Sequence, residues 1–93
     1  MRKFETGTIC LTRLVNDRML HDEAFNDFLH RAVDRHISGD WGDLCEDDKA
    51  LNEEAVKLGN ERIMSVYKEN GDTLWVITEA DRSYTTVLFP DEY

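Results

Sequence analysis

The stretch Arg62-Ile63-Met64-Ser65-Val66-Tyr67-Lys68-Glu69-Asn70-Gly71-Asp72-Thr73-Leu74-Trp75-Val76-Ile77-Thr78 decides the fold. Two β-rich runs, 62–67 and 73–78, are joined through Lys68 to Asp72. The join contains Asn-Gly, the strongest short hairpin signal because both residues accept positive φ. The two runs are therefore expected to be antiparallel neighbours. Side chains alternate along a strand, so Trp75 and Ile77 fall on one face and Leu74 and Val76 on the other. A strand apolar on both sides asks for cover on both, from the chain itself or from a partner.

Working outward, Glu79-Ala80-Asp81-Arg82-Ser83 reads as a polar turn. Tyr84 to Phe89 follows as a further strand, ended by Pro90, which has no backbone donor. Upstream, Phe25, Phe28, Leu29, Ala32, Val33, His36 and Ile37 recur at helical spacing, which predicts an amphipathic helix over His21–Ile37 stopped by Ser38-Gly39. Asp43 and Glu46 have capping-box spacing, and Leu44, Leu51, Ala55 and Leu58 form a stripe before Gly59, predicting a second helix over Leu44–Leu58. Thr8 to Leu14 reads as a first strand. The order βααβββ predicts an α+β two-layer sandwich. Its antiparallel sheet has about four strands, and both helices lie on one face.

Ninety-three residues are too few for a second hydrophobic core, so residues 1–93 are expected to form a single domain. Twenty Asp and Glu against eleven Lys and Arg give a net charge of −9. That balance argues against direct binding of nucleic acid or anionic lipid and directs attention to basic protein surfaces. No apolar run approaches the roughly 20 residues of a membrane span, and the N-terminus has no signal-peptide core, so a cytoplasmic setting is expected. In a reducing compartment Cys10 and Cys45 read as small buried apolar residues rather than a bridge, and they lack metal-ligand spacing.

The most unusual composition lies in Gly39-Asp40-Trp41-Gly42-Asp43-Leu44-Cys45-Glu46-Asp47-Asp48, where five acids surround one Trp. Acids at neighbouring helical positions can imitate a row of phosphates and enter a nucleic-acid-binding groove, with Trp41 as a desolvated anchor. An ordinary role is open at the same residues: acids near a helix N-terminus are stabilised by its dipole, and Trp41 suits a core. The loop Glu79-Ala80-Asp81-Arg82-Ser83 offers a second contact site. Its ordinary role is a turn in which Asp81 caps backbone donors and Arg82 neutralises neighbours.

Enzyme chemistry finds little support. The acidic loop lacks the EF-hand pattern, and His21, His30 and His36 form no HExxH arrangement. His36 falls on the apolar stripe, where a hydrogen-bonded core histidine is expected. Ser38, Ser65 and Ser83 stand in no nucleophile elbow, there is no phosphate loop, and Glu79 with Asp81 is a carboxylate pair expected from composition alone. The expectation is a non-enzymatic protein with no cofactor and no metal.

Two segments carry a resemblance. Arg35-His36-Ile37-Ser38-Gly39-Asp40-Trp41-Gly42-Asp43-Leu44 contains the motif GDWGDL. Trp75-Val76-Ile77-Thr78-Glu79-Ala80-Asp81-Arg82-Ser83, leading to Leu88-Phe89-Pro90-Asp91-Glu92-Tyr93, contains ITEADRS. Together they resemble a family of small, largely uncharacterised plasmid- and phage-associated bacterial proteins. The resemblance implies a setting on mobile elements, where small acidic proteins act against host defence, and it transfers no catalytic residue. Joined to the charge, it leads to the expectation of an anti-CRISPR or related inhibitor that occupies a basic nucleic-acid-binding surface by DNA mimicry. Its contact residues would be Asp40, Trp41, Asp43, Glu46, Asp47, Asp48, Glu79, Asp81 and Arg82. The alternative is an interaction or dimerisation module of plasmid maintenance that uses the two-sided apolar sheet to form a homodimer.

Overall fold

The computed structural model describes residues 2–93. Strand β1 (Thr8–Leu11) is followed by helices α1 (Arg13–His21), α2 (Glu23–Ser38) and α3 (Glu46–Leu58). Strands β2 (Ile63–Glu69), β3 (Asp72–Thr78) and β4 (Tyr84–Leu88) come next, and a 3-10 turn (Pro90–Glu92) closes the chain. The α+β class expected from the sequence is the class observed, with sheet order β1-β4-β3-β2.

The deciding hairpin is tighter than expected. Asn70 and Gly71 have φ of 52° and 83°, which closes a two-residue loop between the paired residues Glu69 and Asp72. Lys68, Glu69 and Asp72, read above as part of the connection, therefore belong to the strands. β3 and β4 continue the antiparallel meander, with Val76 opposite Val87. β1 departs from the all-antiparallel expectation: it lies parallel to β4, with Thr8 beside Tyr84. A parallel neighbour needs a long crossover, and the whole of α1 to β3 supplies it.

A third helix accounts for the second correction, since the first strand ends at Leu11 and not at Leu14. The Thr12 hydroxyl accepts from the Val15 N–H at 3.4 Å, capping α1, and donates to Glu92 at 2.8 Å. Asp22 then both ends α1 and caps α2, its carboxylate accepting from the Phe25 N–H at 3.0 Å. The Phe25 N–H bond first, and then Arg18, hold the Asp22 carboxyl below the usual carboxylate range. Arg18 also forks onto Asp72 at 3.1 and 2.8 Å, fastening α1 to the hairpin.

Val15, Phe25, Phe28, Leu29 and Ala32 from α1 and α2 pack on Tyr67, Leu74, Val76 and Val87 of the sheet. The alternation expected in β3 holds: Leu74 and Val76 are fully buried under the helices. On the other face Trp75 is half-buried and meets Tyr93 at 5.4 Å between ring centroids, while Ile77 and Leu88 on that face are buried. The second helix of the sequence reading, α3, does not share the α1–α2 position. Its Ala55 and Val56 pack with Trp41 and Ile63 in a smaller cluster at the β2 end of the sheet.

The outer edge of β2 is closed by short polar contacts. The Asn52 side chain donates to the Met64 carbonyl at 2.7 Å and accepts from the Met64 N–H at 3.3 Å. Val66 donates to the Trp41 carbonyl at 3.3 Å and accepts from the Asp43 N–H at 2.7 Å. Gly42 is required there, because a Cβ at that position would stand 1.9 Å from the Val66 carbonyl oxygen. Truncation of Asn52 leaves two buried backbone groups of β2 without partners. Asn52→Ala is therefore expected to lower unfolding stability by about 2 kcal/mol, with an unchanged m-value, as read by urea denaturation.

Candidate functional site

The acidic segment divides into withdrawn and presented side chains. Asp40 is withdrawn: Arg35 forks onto its carboxylate at 2.7 and 3.1 Å, and the Gly42 N–H adds a bond at 3.2 Å. These contacts, with Arg35 first, hold the Asp40 carboxyl below the usual carboxylate range. The Tyr67 hydroxyl donates to the Asp40 carbonyl at 2.6 Å, and Arg35 lies over the Tyr67 ring. Asp40 thus anchors the loop to α2 and β2.

Of the two roles open to Trp41, a desolvated anchor for a partner and a core residue, the structure shows the second. Trp41 is 4% exposed, its ring lies 5.9 Å from Phe4 and 6.0 Å from His36, and its Nε1–H donates to Glu53 at 2.6 Å. It is a core residue and cannot be the first contact with a partner. The expected capping box is also absent. Asp43 commits its own N–H to Val66, so α3 starts at Glu46 with Cys45 at the N-cap and no side-chain capping bond. Cys45 is exposed and Cys10 half-buried, both as free thiols, so neither is the buried small residue the sequence suggested. The outcome for the acids is a compact set: Glu46, Asp47 and Asp48 fill the first turn of α3, and all three are exposed, as is Asp43 just upstream. The α3 dipole favours negative charge at this end.

The second expected contact loop is internal. Arg82, at φ 62°, donates to the carbonyls of Glu61 at 2.7 Å, Glu79 at 3.1 Å, Ala80 at 3.1 Å and Ala55 at 3.0 Å. It ties the β3–β4 turn to the C-terminal part of α3 and is not free for a partner. Asp81 accepts from the Ser83 hydroxyl at 2.6 Å and the Ser83 N–H at 3.0 Å, which lowers its pKa and makes it a turn residue. Glu79 is half-buried and its N–H closes the turn onto Tyr84. This loop meets α3 at Ala55, while the free acids stand at its start, so the two expected contact regions do not merge into one site.

A buried polar chain crosses the sheet beneath α2. His36 is fully buried, with Nδ1 2.6 Å from the Ser65 Oγ and Nε2 2.9 Å from the Thr78 Oγ1. Thr78 meets Thr85 at 2.7 Å, and the Thr85 hydroxyl donates to the Thr6 carbonyl at 2.8 Å. A carbonyl can only accept, so the direction of every hydrogen follows: Thr78 donates to Thr85, Nε2–H to Thr78, and Ser65 to Nδ1. The core-histidine reading of His36 is the one observed, while its polar partners could not be read from a linear sequence. Ser65 is also fully buried, so this serine–histidine pair has no route to a substrate. Among the described residues, no group of three His, Cys, Asp or Glu is placed to hold a metal ion, and no helix is long and apolar enough to cross a membrane. Compared with protein-family models, curated proteins and solved structures, the chain matches none.

Burial pushes the His36 pKa down to about 3, whereas the unfolded chain titrates this group near the usual histidine value of about 6.5. Below that value the unfolded state binds a proton that the folded state refuses, so stability falls with falling pH. The expected loss between pH 7 and pH 5 is about 2 kcal/mol, with the loss continuing toward the folded-state value. Urea unfolding across this window measures it, and His36→Gln is expected to flatten the profile there.

Proposed function

We propose that this protein acts by binding, presenting Asp43, Glu46, Asp47 and Asp48 to a basic protein surface that otherwise holds nucleic acid. In the mobile-element setting implied by the sequence resemblance, the target is a CRISPR-associated or restriction nuclease complex, and the effect is inhibition. The observation that carries this reading is the unspent charge at the start of α3. Asp43, Asp47 and Asp48 are exposed and have no ion-pair partner among the described residues. Glu46 has only a long contact of 3.9 Å to Lys49. Asp40 and Trp41 are engaged inside the fold and position the segment, and Asp81 and Arg82 are engaged in the β3–β4 turn.

A second reading rests on a different observation. The sheet face bearing Trp75 lies opposite α1 and α2, which suits an interaction module of plasmid maintenance. The two readings differ in their dependence on salt. Exposed charge pairs are screened over about 8 Å at physiological ionic strength, and an apolar sheet contact is not.

The test is affinity capture from a bacterial host with active CRISPR and restriction systems, across a salt series, with mass spectrometry of the bound proteins. Salt-sensitive recovery of a nuclease or surveillance complex supports the inhibitor. Charge reversal by Glu46→Lys, Asp47→Lys and Asp48→Lys together is expected to abolish that recovery while the circular dichroism spectrum stays native. Recovery of plasmid-maintenance factors alone, or capture unchanged in the folded triple variant, rejects the acidic-surface reading.

A further inference from the structure

The two edges of the sheet differ. The outer side of β2 is closed by Asn52 and the Trp41–Asp43 segment, whereas β1, at the other end of the order, has no strand beyond it among the described residues. Thr8 donates inward to the Ser83 carbonyl and Thr12 to the Val87 carbonyl, both at 3.2 Å. Strand alternation then turns the N–H and C=O groups of Ile9 and Leu11 away from β4. Exposed edges are commonly guarded by shortness, a charge, a proline or a bulge, and β1, at four residues, has only the first. β1 reads Thr-Ile-Cys-Leu and lies inside residues 6–16, the longest stretch of the sequence without Asp or Glu. Beside it runs a groove of about 300 Å³ whose apolar walls are Leu11, Met19, Leu29 and Val33, with His30 and Asp34 of α2 also in its lining, and Ile9 is 40% exposed.

We infer that β1 is a self-association edge, on which β1 of a second copy adds in antiparallel register about a two-fold axis. The joined sheet has eight strands. The near-symmetry of Thr8-Ile9-Cys10-Leu11-Thr12 selects a second copy as the occupant, and charge places the contact here: two chains of −9 each repel through most of their surface and approach at least cost along a segment that carries no carboxylate of its own. The edge is also self-complementary. With the axis at Cys10, Ile9 of one copy faces Leu11 of the other and exchanges both outward backbone hydrogen bonds with it. Those side chains lie on the helix-bearing face, and each extends the apolar wall of the neighbouring groove. The two Cys10 residues then form the non-hydrogen-bonded pair, with Cα atoms about 4.5 Å apart, within disulfide reach. This inference does not depend on the proposed function, because β1 lies at the opposite edge of the sheet from β2 and α3.

Molar mass by light scattering and sedimentation, from micromolar to sub-millimolar protein, tests it. The mass is expected to rise from 10.9 kDa to twice that value. Ile9→Pro removes only an outward donor, and Ile9→Lys adds the missing guard. Each is expected to weaken association at least tenfold with a native circular dichroism spectrum, and the lysine variant stands alone if the proline variant does not fold. Mild oxidation of Cys45→Ser is expected to give a covalent dimer through Cys10. A single-chain mass at every concentration overturns the inference, as does a dimer that persists in Ile9→Lys or one in which Cys10 does not cross-link.

Discussion

A strand at the edge of a sheet carries backbone donors and acceptors that must be satisfied by something, and how β2 meets this demand organises one half of the molecule. Its outward groups at Met64 and Val66 are taken by the Asn52 side chain and by the Trp41 and Asp43 backbones. The first contact fixes the position of α3, and the second fixes the loop before it. Trp41 is carried into the core by this arrangement, and the first turn of α3 is left projecting with its three acids. The charge at that end is a by-product of backbone pairing at the edge, and it comes from the same contacts that hide the tryptophan.

The twenty acids therefore do not form one population. Asp22, Asp40 and Asp72 accept from arginine or backbone donors and hold helices to the sheet. Glu53 accepts from the Trp41 indole, and Lys3 stands 3.2 Å from it. Each is a structural contact whose charge is spent inside the fold. The acids at the start of α3 are in a different position: apart from the long Glu46–Lys49 contact of 3.9 Å, their charge is met by solvent and by the helix dipole. Composition counts both kinds alike, and only their geometry separates them.

The hairpin, α2 and its stop at Gly39 were legible because their signals are local. Asn70-Gly71 specifies a turn by backbone conformation, and the spacing of Phe25, Phe28, Leu29 and Ala32 specifies a buried stripe. α1 was hidden because Thr12-Arg13-Leu14-Val15 is rich in strand-favouring residues and Val15 is the one fully packed side chain of that helix. Only the caps at Thr12 and Asp22 mark its ends. The parallel placement of β1 could not be read at all, since its partner is the last strand of the chain. At the site, the exposure of Glu46, Asp47 and Asp48 followed from their pattern. The fates of Trp41 and Arg82 depended on Glu53, Glu61 and Ala55, residues distant in sequence that no motif connects to them.

The parallel pairing of β1 with β4 bears on how the chain acquires its shape. Thr8–Leu11 is made before its strand partner Tyr84–Leu88 and is separated from it by the whole of α1 to β3, so this contact carries a large loop-closure entropy and belongs to the late steps of folding. The β2–β3 hairpin and the α1–α2 pair can form from their own residues before that. During synthesis, Thr8–Leu11 is thus an unpaired apolar segment, exposed to other chains on the same message until Tyr84–Leu88 emerges.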